Sequence, residues 1–160
     1  LVRHRHLSFS QLSQRYVDES DLAFVTPPAI LQLKSEGVTV PYDHWVITCH
    51  NVRSDYRILL EELEDHLSGT GTIAKKRARE AARSVLPSCA ETKIVVTGNA
   101  RAWRHFIHLR GAEGADLEIR RLAVVVAMIL EQEAPSIFQD LIIVEGTDGK
   151  DTAKLLHGTV

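Results

Sequence analysis

Between Tyr42 and Leu67 the apolar side chains Trp45, Cys49, Val52, Tyr56, Leu59 or Leu60, Leu63 and Leu67 recur at steps of three and four residues. That period is the turn of an α-helix, so the sequence predicts one long amphipathic helix whose apolar side must be covered along its whole length. Ser68-Gly69-Thr70-Gly71 is expected to end it. A second helix from Thr72 to Leu86 is expected to bury Ile73, Ala74, Ala78, Ala81 and Val85 behind a basic face of Lys75, Lys76, Arg79 and Arg83, with Pro87 as its stop.

Before these helices, Leu22 to Thr26 reads as a short strand or extended arm ended by Pro27-Pro28, and Ala29 to Glu36 as two helical turns closed by Gly37. After them, β-branched Thr92 to Thr97 reads as a strand that delivers Asn99 as N-cap to a helix from Ala100 to Arg110. A further helix from Ala115 to Glu133 carries the stripe Ile119, Leu122, Ala123, Val126 and Leu130 and is broken by Pro135. Leu141 to Val144 and the Asp148-Gly149 turn suggest a terminal strand or hairpin.

With 160 residues, 44% apolar and 25% charged, the chain is large enough for one core, and a single domain over residues 1–160 is expected, with 141–160 as a tail of unassigned role. No apolar run is long enough for a spanning helix and no apolar leader opens the chain, so no membrane partner is expected. Cys49 and Cys89 make no C-x-x-C pair, which indicates neither a zinc site nor a disulfide framework and points to the reducing cytoplasm. An opening on Leu1, two residues before a motif, reads as part of a longer chain.

That motif is Arg3-His4-Arg5-His6-Leu7-Ser8-Phe9-Ser10-Gln11-Leu12-Ser13-Gln14-Arg15-Tyr16. The first sixteen residues carry a formal charge of +3 against −2 for the whole chain, so residues 17–160 carry −5 (−2 minus +3) and the positive potential is local. Three guanidinium groups this close repel unless an anion neutralises them, and each charge-assisted bond to phosphate contributes roughly 1.5–3 kcal/mol. A local patch on an acidic chain favours a small anion over a nucleic-acid duplex. A single-stranded nucleic-acid binder stacking bases on Phe9 and Tyr16 is a weaker competitor.

The segment resembles the signature of the flavin-dependent thymidylate synthases, R-H-R-x-x-S-x-N-E/Q-x-S-x-R-Y. The resemblance continues in Ala82-Arg83-Ser84-Val85-Leu86-Pro87, in Gly98-Asn99-Ala100-Arg101 and in His108-Leu109-Arg110, over roughly residues 1–140. It implies an α+β fold, a twisted antiparallel sheet with long flanking helices in a helix-rich single domain, forming about the C-terminal two-thirds of a longer chain. It implies reductive methylation of dUMP to dTMP, with 5,10-methylenetetrahydrofolate as carbon donor and FAD reduced by NADPH as hydride source. The active sites would be shared between subunits of a homotetramer.

By that resemblance Arg3, His4, Arg5, Ser10, Gln11, Asn99, Arg101 and His105 hold FAD. Likewise Arg3, Gln11, Leu12, Ser13, Gln14, Arg15, Lys76, Arg83 and Arg110 hold dUMP, and Arg110 is the catalytic residue that stabilises negative charge on the pyrimidine. Lys76 and Arg83, seven residues apart, would face a shared anion from one helix side. Each residue also has a plainer reading: solvated charge for the arginines and Lys76, an N-cap for Asn99, and a helix-dipole partner for Arg110. Ser13 has no His-Asp partnership beside it, so a nucleophile is not expected, and His105 with His108 lacks a metal ligand set. Ser10 stands where the family usually has asparagine and Gly114 where many members have histidine. A non-catalytic nucleotide or flavin-binding homologue is therefore the alternative.

Overall fold

The computed structural model describes residues 1–67 and 71–157. In chain order the elements are β1 (Ser8–Gln11), α1 (Pro28–Ser35), α2 (Val40–His66), α3 (Thr72–Ala82), a 3-10 turn (Arg83–Val85), β2 (Ile94–Thr97), α4 (Ala100–Arg110), α5 (Leu117–Glu133), α6 (Pro135–Phe138), β3 (Leu141–Glu145) and β4 (Asp151–Leu155). The class is α+β and helix-rich. Its strands form two two-stranded ladders, β1 with β2 and β3 with β4, in place of the one twisted sheet expected. The chain divides into two compact units, residues 1–10 with 95–160 and residues 11–94.

In the first unit α4 and α5 supply the core. Phe106 and Ile107 from α4 meet Ala123, Val124 and Ala127 from α5, and Leu7, Phe138, Leu141 and Ala153 close over them. The expected stripe on α5 is shifted: Ala123 is buried and Ile119, Val126 and Leu130 pack at its edge, but Leu122 is exposed and Val124 and Ala127 take the centre. Asp116 starts α5 by accepting from Glu118 N at 3.0 Å. β3 and β4 pair antiparallel with Leu141 opposite Leu155 and Glu145 opposite Asp151, through a turn in which Gly149 has φ 68°.

Gly111, just past α4, allows β4 to approach: a Cβ there would lie 2.6 Å from Ala153 O and 2.7 Å from Ile107 O. Gly111→Ala should therefore lower stability by about 1–3 kcal/mol, the usual cost of overpacking against backbone. Urea midpoints of the two proteins check this, and equal midpoints would show that β4 can yield.

The second unit is built on α2. Tyr56 and Leu60 pack on Ala78 and Ala82 of α3, with Leu63, Leu67, Val85 and Leu86 around them. Small residues at strict four-residue spacing, Ala74, Ala78 and Ala82, bring α3 close to α2. This corrects the expected stripe, because Ile73 is 63% exposed and Ala81 is also exposed. The helix also ends sooner than expected, at Ala82, and tightens into the 3-10 turn that carries Arg83. Ser68, Gly69 and Thr70, the expected stop of α2, lie outside the described residues.

Residues 16–22 have no ladder or helix to satisfy their carbonyls, and three arginines do so instead. Arg79 Nη1 donates to Tyr16 O at 2.8 Å, Arg57 Nε to Ser20 O at 2.9 Å and Arg53 Nη2 to Leu22 O at 2.5 Å. Phe24 then bridges to Ala90, the only pairing of the expected arm Leu22–Thr26 among the described residues.

Candidate functional site: cationic clefts on two units

The N-terminal motif enters the first unit as two tight turns, Leu1 O receiving His4 N and His4 O receiving Leu7 N, each at 3.0 Å. This alternation turns His4 and Leu7 inward and leaves Arg3 and Arg5 exposed. His4 is 7% exposed and meets the Phe106 ring edge-on, with centroids 5.2 Å apart. The β1 strand that follows exposes Ser10 and Gln11.

Arg110, the last residue of α4, donates from Nε to His4 Nε2 at 3.0 Å. An arginine can only donate, so His4 accepts and carries its own proton on Nδ1. The bond fixes the guanidinium and leaves its two terminal nitrogens without a protein partner among the described residues. Arg3, Arg5, His6, His105 and Arg110 line one cleft of about 240 Å³ around His4. A second cleft of about 270 Å³ is lined by His6, Asn99, Arg101, Ala102 and His105. His6, Ala102 and His105 belong to both clefts.

Asn99 caps α4 by accepting from Ala102 N at 2.9 Å, so its plain reading is realised. The remaining free N–H groups of that helix start give the second cleft the character of an anion site. His105 lies one turn from Arg101, and both line it.

Burial lowers the His4 pKa from its ordinary 6.5, and the charge of Arg110 lowers it further. The unfolded chain therefore takes this proton first as acid is added, so the stability due to neutral His4 is complete above about pH 6.5 and declines as pH falls through that value. We expect the drop in thermal midpoint between about pH 7.5 and 5.5 to be smaller in His4→Gln than in the parent. Parallel drops would show that His4 is not the group responsible.

The second unit gathers a different set. Arg15, Tyr16, Thr72, Lys75, Lys76 and Arg79 line a cleft of about 280 Å³ at the start of α3. Lys76 Nζ stands 5.1 Å from the Tyr16 ring centre and the Arg15 guanidinium 5.8 Å. Arg15 also meets Glu80 at 3.3 Å. Arg83, the first residue past α3 and about one turn beyond Arg79, does not line this cleft. Gln11 is engaged with Thr92 at 3.1 Å, Leu12 N with Lys93 O at 2.8 Å, and Ser13 O receives Tyr16 N and Val17 N. Gln14 is half-buried and lines neither this cleft nor those of the first unit.

Sequence reasoning missed His6, Tyr16, Lys75 and Arg79 as lining residues. Arg79 was within reach, three residues on from Lys76 on a helix face, whereas His6 lies in turns that have no period to read. Among the described residues no three His, Cys, Asp or Glu side chains stand together as a metal site, and no helix is long and apolar enough to cross a membrane.

Fold and clefts together define an α+β protein with arginine- and histidine-lined clefts on the first unit and an arginine- and lysine-lined cleft on the second. The chain belongs to the family described as thymidylate synthase complementing protein, whose model matches residues 1–136. It is 48% identical over 159 residues to the flavin-dependent thymidylate synthase of Mycobacterium sp. (strain KMS), an alignment covering 96% of this chain and 61% of the relative. The protein of that name from Mycolicibacterium gilvum (strain PYR-GCK) is 48% identical over 155 residues, covering 96% of this chain and 60% of the relative. That from Mycobacterium marinum (strain ATCC BAA-535 / M) is 43% identical over the same shares. The chain thus spans about 60% of the length of these relatives.

Proposed function

We propose that this chain is the larger part of a flavin-dependent thymidylate synthase that methylates dUMP to dTMP, with 5,10-methylenetetrahydrofolate and NADPH as co-substrates. The observation that carries this reading is the His4–Arg110 bond: the signature segment and the end of α4 meet in one cationic cleft.

The donor set of the first unit fits a flavin dinucleotide. A capped helix start, Arg101 and the imidazoles of His6 and His105 suit a pyrophosphate, while Arg3 and Arg5 suit further anionic groups. Bound there, FAD would supply the hydride. The chain's own task is then positional and electrostatic. His4 holds Arg110 by Nε, and the free terminal nitrogens of Arg110 would face the pyrimidine where negative charge develops. The second unit, taken by itself, offers Arg15, Lys76 and Arg79 as a nucleotide-phosphate site, with Arg83, Gln11, Leu12, Ser13 and Gln14 as further proposed dUMP contacts. No thiol is assigned a part.

Active sites shared between subunits of a homotetramer complete the proposal. Leu122, Val125, Met128 and Ile129 support it, forming an apolar face on α5 with exposures of 43–52%. A reducing cytoplasmic setting accords with the two free thiols.

A non-catalytic homologue is the second reading, favoured by Gly114, where no atom lies within 4 Å of a Cβ position and no side chain reaches out. Flavin binding tests the first step. Protein of the relatives' full length carrying this sequence should retain FAD through gel filtration, visible by its absorbance bands, and Arg101→Ala with His105→Ala should lose it. Colourless protein that stays unperturbed by added FAD would defeat the proposal, while flavin bound without methylation would favour the second reading.

A further inference from the structure

Cys49 and Cys89, separated by forty residues in the chain, place their sulfurs 3.9 Å apart in the second unit. Both are free thiols, Cys49 buried on α2 and Cys89 half-buried in the segment after the 3-10 turn. A disulfide requires about 2.05 Å, so closure needs roughly 2 Å of approach. The Cys89 side can supply it, because Cys89 lies in no helix or ladder and its backbone is held, among the described residues, only at Cys89 O, by Val25 N at 2.8 Å, within the isolated Phe24–Ala90 bridge. Cys49, by contrast, is fixed in a 27-residue helix.

We propose that Cys49 and Cys89 are a reversible redox modification site, which closes to an intrachain disulfide with a peroxide as oxidant. The more accessible Cys89 sulfur attacks one peroxide oxygen, the O–O bond breaks, and water (or an alcohol from an organic peroxide) leaves, giving a sulfenic acid. Cys49 then attacks that sulfur, the S–O bond breaks and a second water departs. Two thiols lose two electrons and two protons, and one peroxide gains them.

Cys49 serves as the resolving thiol because burial pushes its pKa up to about 11, the contact with Cys89 adding to this and the nearby Arg53 charge opposing it. Such a thiol is a poor first attacker, but it resolves well when its target is held beside it. The disulfide would close a ring of residues 49–89, which contains Lys76, Arg79 and Arg83. The inference stands independently of the reaction proposed above.

The test uses reduced, desalted protein treated with hydrogen peroxide, followed by alkylation and mass mapping without reductant. Expected is a monomer lighter by two hydrogens, a linked peptide pair containing Cys49 and Cys89, and full recovery of both thiols with dithiothreitol. Cys49→Ser, with its fold verified by circular dichroism, should accumulate a sulfenic acid at Cys89 that dimedone traps severalfold more than in the parent. The proposal is overturned if both thiols still alkylate after peroxide. It is equally overturned if Cys89 passes to sulfinic acid while Cys49 stays free, or if the disulfide joins two chains. Should the variant fail to fold, mapping of the parent protein still decides.

Discussion

Arg110→Ala, in protein of the relatives' full length, is expected to lose about 10²–10³-fold in methylation turnover, the usual effect of removing one fixed donor from a developing anion. The same variant should keep its flavin. Asn99 and Arg101 line a cleft toward the start of α4 that does not include Arg110, which ends that helix, half-buried and off the core. Arg110→Lys separates charge from placement. Lysine retains the cation but lacks the rigid fork through which Nε is tied to His4, so an intermediate loss is expected. Steady-state kinetics with dUMP and the folate donor read this directly, and an unchanged rate in Arg110→Ala would remove its assigned role.

Arg104→Ala should cost about 3–5 kcal/mol of stability in the first unit, the effect of breaking a buried ion pair and leaving one charge behind. Arg104 on α4 binds Asp140 bidentately at 2.6 and 2.8 Å, with side chains only 18% and 9% exposed. It also donates to Ile137 O at 2.8 Å and His157 O at 3.1 Å, while Asp140 receives His157 N at 3.2 Å. One guanidinium thus joins α4, the turn after α6 and the residues after β4. The hydrogen bond from Arg104 holds the Asp140 carboxyl down to about 2 against the opposing pull of burial. A depressed carboxylate stabilises above its unfolded value near 4 and loses that contribution as pH falls from about 4 to 2. Urea unfolding across that range should therefore show a shallower acid loss in Arg104→Ala than in the parent. Equal midpoints at neutral pH would show that the clamp contributes nothing.

Long periodic segments were legible in the sequence, and short or non-local features were not. The bounds of α4 follow the expectation because an N-cap and a glycine punctuate a full amphipathic pattern. On α3 the same reasoning assigned Ile73 to the core by type. Close helix packing kept the expected Ala74 and Ala78 but took Ala82 in place of Ile73 and Ala81, a preference set by the distance to α2 that no single segment reveals. Arg83 was joined to Lys76 by counting seven residues of helix, which fixes a direction but also a rise of about 10 Å, and the cleft at the start of α3 does not extend that far. The thiol contact and the Arg104 clamp were invisible for a simpler reason, since both join residues more than thirty positions apart. Arg3, Arg5 and Arg15 stood out because like charges so close demand an explanation, yet the inward turn of His4 depends on two backbone turns with no signature of their own.

The most direct measurement of the central claim is the conversion of dUMP to dTMP, followed by mass spectrometry, by protein of the relatives' full length carrying this sequence. The assay supplies FAD, NADPH and 5,10-methylenetetrahydrofolate carrying an isotopically labelled methylene carbon. The account predicts dTMP that bears the label, forms only when flavin and folate are both present, and falls with Arg110→Ala. Folded, flavin-loaded protein that releases no labelled dTMP would contradict it.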